Sequence, residues 1–73
     1  MTINERMKQI IKSEGRTQKW ILEEMNRTDP QLNLNPAIFS AIITGKRGVT
    51  GDELLAFCKV TGKNPNIFMQ PGA

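Results

Sequence analysis

Side chains able to do chemistry are sparse in this sequence. It holds no histidine and one cysteine, Cys58, so neither a Cys/His zinc set nor an intramolecular disulfide can form. Cys58 sits between apolar neighbours, which predicts a buried, inert thiol rather than a nucleophile. Glu23 and Glu24 are adjacent, but no acid–base partner accompanies them, and they read as a solvated helix face. There is no glycine-rich phosphate loop and no nucleophile–base set. Catalysis is therefore not expected, and no metal or other cofactor and no small-molecule ligand is expected either. What remains is the chemistry of charge and hydrogen bonding. Thr17-Gln18-Lys19 stands at one helix start and Asn35-Pro36 at another. Lys46-Arg47 comes just after the second of these helices. Such groups suit an anion, because a helix N-terminus offers free N–H groups and the positive end of the dipole.

The elements that must position these groups are short. The chain has 73 residues, enough for one domain spanning 1–73. A domain of this length buries only about 60% of its unfolded surface, so its core is small and leaves little room for a deep cleft. Association between copies would add stability. Ten Lys/Arg against seven Asp/Glu give a net charge of +3 and a pI near 9.4. That excess suits a nucleic-acid partner, and it also fits many ordinary soluble domains. Met1 to Ser13 alternates charged with apolar residues, so no signal peptide is read there. No apolar run approaches the roughly 20 residues of a membrane span. A cytoplasmic protein with no membrane partner is the expectation.

Periodicity and punctuation predict an all-α chain of four or five short helices. The first runs from about Ile3 to Glu14, capped by Thr2 with Glu5 as the reciprocal partner, and Gly15 stops it. Ile3, Met7, Ile10 and Ile11 form its apolar stripe. The second spans about 18–28, with Thr17 as N-cap and Ile21, Leu22 and Met25 as its stripe. Trp20 beside them reads as a packing residue. Pro30 forces an end before Asp29. Asn26 to Leu34 reads as an irregular turn in which Leu32 or Leu34 packs inward, or else as a further turn of the second helix. The third helix spans about 36–44: Asn35 caps it, Pro36 takes its first position, and Gly45 ends it. Phe39, Ile42 and Ile43 form its apolar face. Thr50 and Glu53 make a second capping box for a fourth helix, with Leu54, Leu55, Phe57 and Cys58 facing the core and Gly62 closing it. Asn64-Pro65 opens a last short helix through Ile67, Phe68 and Met69.

Thr17-Gln18-Lys19-Trp20-Ile21, then Asn35-Pro36-Ala37-Ile38-Phe39-Ser40-Ala41-Ile42-Ile43-Thr44-Gly45-Lys46-Arg47, then Thr50 to Gly62, resemble the phage-repressor and Cro-type (Xre-like) helix-turn-helix family. The resemblance covers roughly Asn4 to Met69 and is most specific over Phe39 to Arg47. It implies a lambda-repressor-like bundle of five short helices. The second helix would lie across a DNA backbone and the third, the recognition helix, would enter the major groove. Thr17 and Gln18 match phosphate-contacting positions, Lys19 adds charge, and Lys46 and Arg47 match a loop that grips phosphate. Asn35, Pro36, Ala37, Ser40 and Ala41 match positions facing base edges. The implied function is a DNA-binding transcriptional regulator of prokaryotic or phage type. It would be a short Cro-like repressor that binds double-stranded operator DNA as a homodimer, through a surface near Ile67, Phe68 and Met69.

Two departures qualify the resemblance. The turn between the second and third helices is enlarged by about seven residues, so packing of Leu32 or Leu34 must set the angle between them. This places Arg27, Gln31 and Asn33 near the expected DNA backbone. The recognition helix is also short of Arg, Lys, Asn and Gln, the side chains that read base edges by paired hydrogen bonds worth about 1–3 kcal/mol each. Methyl contacts and DNA shape would have to supply part of any specificity. The apolar character of Ala37, Ile38 and Ala41 motivates an alternative, a protein-interaction module on the same fold: an antitoxin, antirepressor or adaptor. Ile11 and Ile43 stand where some relatives hold a buried Arg–Glu pair, and they predict an apolar contact between the first and third helices.

Overall fold

In the computed structural model, residues 2–68 are described. Four α-helices and two 3₁₀ turns follow one another: α1 Ile3–Glu14, α2 Gln18–Thr28, a 3₁₀ turn Pro30–Leu32, α3 Pro36–Ile43, α4 Gly51–Thr61 and a 3₁₀ turn Pro65–Phe68. No strand occurs among the described residues. The expected all-α class is observed. The fifth helix is instead the 3₁₀ turn at Pro65–Phe68, and Met69 lies outside the described residues. The third helix ends at Ile43 rather than Thr44, which is its C-cap.

The helix boundaries follow from local chemistry. Thr2 and Glu5 form a reciprocal capping box, and Thr50 and Glu53 form another. Each box satisfies N–H groups that have no partner inside their helix. Thr17 accepts from the Trp20 N–H at 3.0 Å. Asn35 accepts from the Ile38 N–H at 2.8 Å, one residue before Pro36. Gly15 closes α1 in the left-handed region at φ 68, where a side chain would be strained.

One face of each α-helix feeds a single core. Met7, Ile10 and Ile11 of α1 meet Ile21, Leu22 and Met25 of α2, Phe39, Ile42 and Ile43 of α3, and Ala56 and Phe57 of α4. Cys58 is buried, as expected, and burial pushes its thiol pKa up. Ile11 and Ile43 are both buried in this cluster and line one hollow together, in agreement with the expected apolar meeting of α1 and α3.

Three core assignments are corrected. Leu55 is 49% exposed, whereas the half-buried Leu54 packs against the core as expected. Glu53 takes the inward position instead, at 4% exposure, because Arg47 and the Thr50 cap satisfy its carboxylate. Leu55, two residues on, is turned about 200° round the helix from it. Trp20 is 37% exposed rather than packed, with the Arg16 guanidinium 4.4 Å above its ring. Ile3 lies on the surface, so the buried stripe of α1 starts at Met7.

The enlarged turn is ordered by one side chain. α2 continues to Thr28, and the Asp29 carboxylate caps the following 3₁₀ turn by accepting from the Gln31 N–H. Asn33 then adopts the left-handed region at φ 46, a conformation asparagine tolerates. The chain thereby reverses and drops Leu34 into the core at 7% exposure, with Leu32 half-buried above it. The Asn26 amide closes the turn. Its Nδ2 donates to the Leu34 carbonyl at 2.8 Å, and its Oδ1 accepts from the Leu34 N–H at 2.9 Å. Of the two leucines expected to offer an inward contact, Leu34 is buried and Leu32 packs partly against the core, and Asn26 fixes the approach to α3.

Candidate nucleic-acid interface

The first turns of α2 and α3 are neighbours. Gln18 and Lys19 of α2 line a small hollow of about 70 Å³ together with Pro36 and Phe39 of α3 and Leu22. Gln18 also lines a larger hollow with Ile43 at the other end of α3. It therefore sits beside α3 over most of that helix's length. Two helix N-termini, each capped by an oxygen and each with positive dipole character, flank one patch of surface.

Side chains at this patch divide between committed and free groups. Thr17, Gln18 and Lys19 are exposed. The Thr17 hydroxyl accepts from Trp20, so its role as cap is met already. On α3, Asn35, Pro36, Ala37 and Ser40 are exposed, whereas Ala41 is half-buried. Asn35 uses its carbonyl oxygen as the cap, which leaves its amide NH₂ pointing to no protein acceptor among the described hydrogen bonds. The Ser40 carbonyl accepts from the Thr44 hydroxyl at 2.8 Å. Of the five expected base-facing residues, four are accessible, and Ala41 is the one partly withdrawn.

The exit from α3 is held by α1. Gly45 turns left-handed at φ 82, and the Lys46 and Arg47 N–H groups both donate to the Ala41 carbonyl. From α1, the Asn4 amide donates to the Ile42 carbonyl at 2.7 Å and to the Arg47 carbonyl at 3.2 Å. The Ile42 carbonyl also accepts from the Gly45 N–H at 3.1 Å, so Asn4 adds a second bond there and ties the loop to α1. No sequence signal marked Asn4, because an asparagine near a helix start reads simply as a polar surface residue.

Lys46 and Arg47 are both exposed, but they are not equivalent. The Arg47 Nη1 and Nη2 each donate to a carboxylate oxygen of Glu53 at 3.0 Å, and Nη1 also donates to the Gly48 carbonyl. Burial pushes the Glu53 carboxyl up, but the hydrogen bonds from Arg47 and Thr50 outweigh it and hold the group below its ordinary value. Arg47 is raised by the same bond. Arg47 thus braces the loop against α4, with its side chain still 41% exposed. Lys46 makes no side-chain bond among the described residues and keeps its ammonium for solvent or a ligand.

Arg27 forms an exposed ion pair with Glu24, while Gln31 and Asn33 stand exposed in the enlarged turn. Among the described residues, no group of three or more His, Cys, Asp or Glu is gathered at one place, and no helix is long and apolar enough to cross a membrane. Comparison of the chain with family models, curated proteins and solved structures finds no match.

Proposed function

We propose that this chain is a sequence-specific DNA-binding regulator of the Cro and phage-repressor type, with α2 and α3 as its helix-turn-helix. The observation that carries the reading is the shared patch at the first turns of α2 and α3, where Gln18, Lys19 and Pro36 line one hollow. A helix laid across a phosphate backbone needs its N–H-bearing end beside the helix that enters the groove. Thr17, Gln18, Lys19 and Lys46 then serve as phosphate contacts, and Asn35, Pro36, Ala37 and Ser40 present the base-facing edge. The Asn35 amide is the strongest hydrogen-bonding reader in that set. One subunit offers few such contacts, so tight binding calls for a homodimer on two half-sites. The half-buried Ile67 and Phe68 offer the apolar surface for it.

Selection of bound duplexes from a random pool tests the reading. An enriched, two-fold symmetric motif is expected, and a pool that stays random would overturn it. A second reading, a protein-interaction module, is favoured by one observation: the hollow between α2 and α3 is floored by Leu22 and Phe39 and rimmed by Pro36. The absence of a mobility shift with random duplex at micromolar protein and low salt would favour that reading instead.

A further inference from the structure

A hollow of about 310 Å³ lies between α1, the start of α2 and the end of α3. Its lining is Lys8, Ile11, Lys12, Arg16, Gln18 and Ile43: three cations, one amide, two isoleucines and no acid. Lys8 and Lys12 are exposed, and neither takes part in either of the two ion pairs among the described residues. The Arg16 guanidinium lies 4.4 Å over the Trp20 ring, and the two also line a neighbouring hollow with Glu14.

These cations follow a line. Asn4, Lys8 and Lys12 are successive four-residue steps on one face of α1, and Arg16 follows the Gly15 cap. At one end, Asn4 is bonded to the carbonyls of Ile42 and Arg47, beside Lys46. At the other, Arg16 adjoins the Thr17 cap and Gln18. The line therefore joins the loop after α3 to the N-terminus of α2. A C-terminal cation complementing the helix dipole accounts for Lys12 alone. It does not account for Lys8, or for a hollow lined by three cations and no acid.

We propose that Lys8, Lys12 and Arg16 form a phosphate track for one strand of a DNA duplex, continuous with the N-terminus of α2. The proposal rests on the DNA-binding reading above and extends the interface to α1, which sequence reasoning left out. Four helical residues advance about 6 Å, while the phosphates of one strand rise about 3.4 Å each along the duplex axis. Ile11 and Ile43 form an apolar floor suited to the sugar faces between those phosphates.

The test is fluorescence anisotropy of a labelled random duplex against the full chain, from about 50 to 200 mM salt. The variants are Lys8→Gln/Lys12→Gln/Arg16→Gln, the double variant Lys8→Gln/Lys12→Gln, and its charge-matched control, Lys59→Gln/Lys63→Gln. Each neutralised phosphate contributes about 0.9 to the slope of log K against log salt. The track variant is expected to lower the slope by about 2–3, and the control by less than about 1. Should the triple variant fail to fold, Lys8→Gln and Lys12→Gln singly are each expected to lower the slope by about 0.9. If the wild type binds the duplex and the double variant and its control behave alike, the track is refuted while the DNA reading stands. If the wild type binds no duplex but binds an acidic peptide such as oligoglutamate, both fall.

Discussion

Replacing Asn26 tests whether the enlarged turn is a fixed part of the interface or a slack connector. Its amide makes two hydrogen bonds to the Leu34 backbone, at 2.8 and 2.9 Å, and Leu34 itself is buried. Asn26→Ala leaves an N–H and a carbonyl at the edge of the core without partners. Each such bond contributes about 0.5–1.5 kcal/mol net, so the expected cost is about 1–3 kcal/mol. For a domain of this size each kcal/mol lowers Tm by about 4–8 °C, which places the drop near 8–16 °C for a cost of about 2 kcal/mol. Urea and thermal unfolding followed by circular dichroism give both quantities. Asn26→Asp separates the two bonds. It keeps the acceptor for the Leu34 N–H but sets a carboxylate against the Leu34 carbonyl. That raises the carboxyl pKa in the folded protein above its unfolded value near 3.9. The deficit of Asn26→Asp is thus present at neutral pH and relieved as pH falls through the raised folded value, where the protonated carboxyl can donate. On duplexes from the selected pool, Asn26→Ala should lose discrimination more than affinity, because the phosphate contacts proposed at α2 do not depend on the turn. A cost below about 0.5 kcal/mol for Asn26→Ala, or wild-type behaviour of Asn26→Asp at neutral pH, would refute the view that this amide sets the geometry of α3.

Further outcomes follow from the same contacts. The Glu53 carboxyl is held below its ordinary value of 4.5 by Arg47 and Thr50 despite its burial. Its contribution to stability is complete above pH 4.5 and is lost as pH falls through the depressed value. Glu53→Gln should flatten the acid limb of a urea-midpoint-against-pH curve; an unchanged limb would show that other carboxylates dominate. Lys46→Gln should lower the salt slope of duplex binding by about 0.9 with unfolding unchanged. Arg47→Gln should instead lower the urea midpoint, because it strips the buried Glu53 of its partner, and equal effects of the two on the salt slope would restore Arg47 as a phosphate contact. Leu55→Ser should change stability by less than about 0.5 kcal/mol, whereas Phe57→Ala in the core should cost about 3–5 kcal/mol and leave the domain largely unfolded.

What the sequence determined by itself was the set of local decisions. Thr2 with Glu5, Thr50 with Glu53, Asn35 before Pro36, and the glycines at positions 15 and 62 each act within about four residues, so helix positions and most core faces were legible. Leu34 was legible as well, being a bulky apolar residue stranded in a polar turn. Tertiary structure decided everything that joins distant residues. Asn4 reaches a carbonyl 38 residues away, and Arg6 donates to the Ile67 carbonyl 61 residues away. Nothing in the type of either residue names that partner. Arg47 reads as a free cation until the fold brings a buried Glu53 within 3.0 Å of it. Leu55 reads as core until Glu53, satisfied by that same arginine, takes the inward position. Thr17 was legible as a cap, and Lys19, Lys46 and Arg47 as charges, because caps and charges are local features. The chain path alone set Lys8, Lys12 and Arg16 beside Gln18, and it alone paired Arg47 with Glu53.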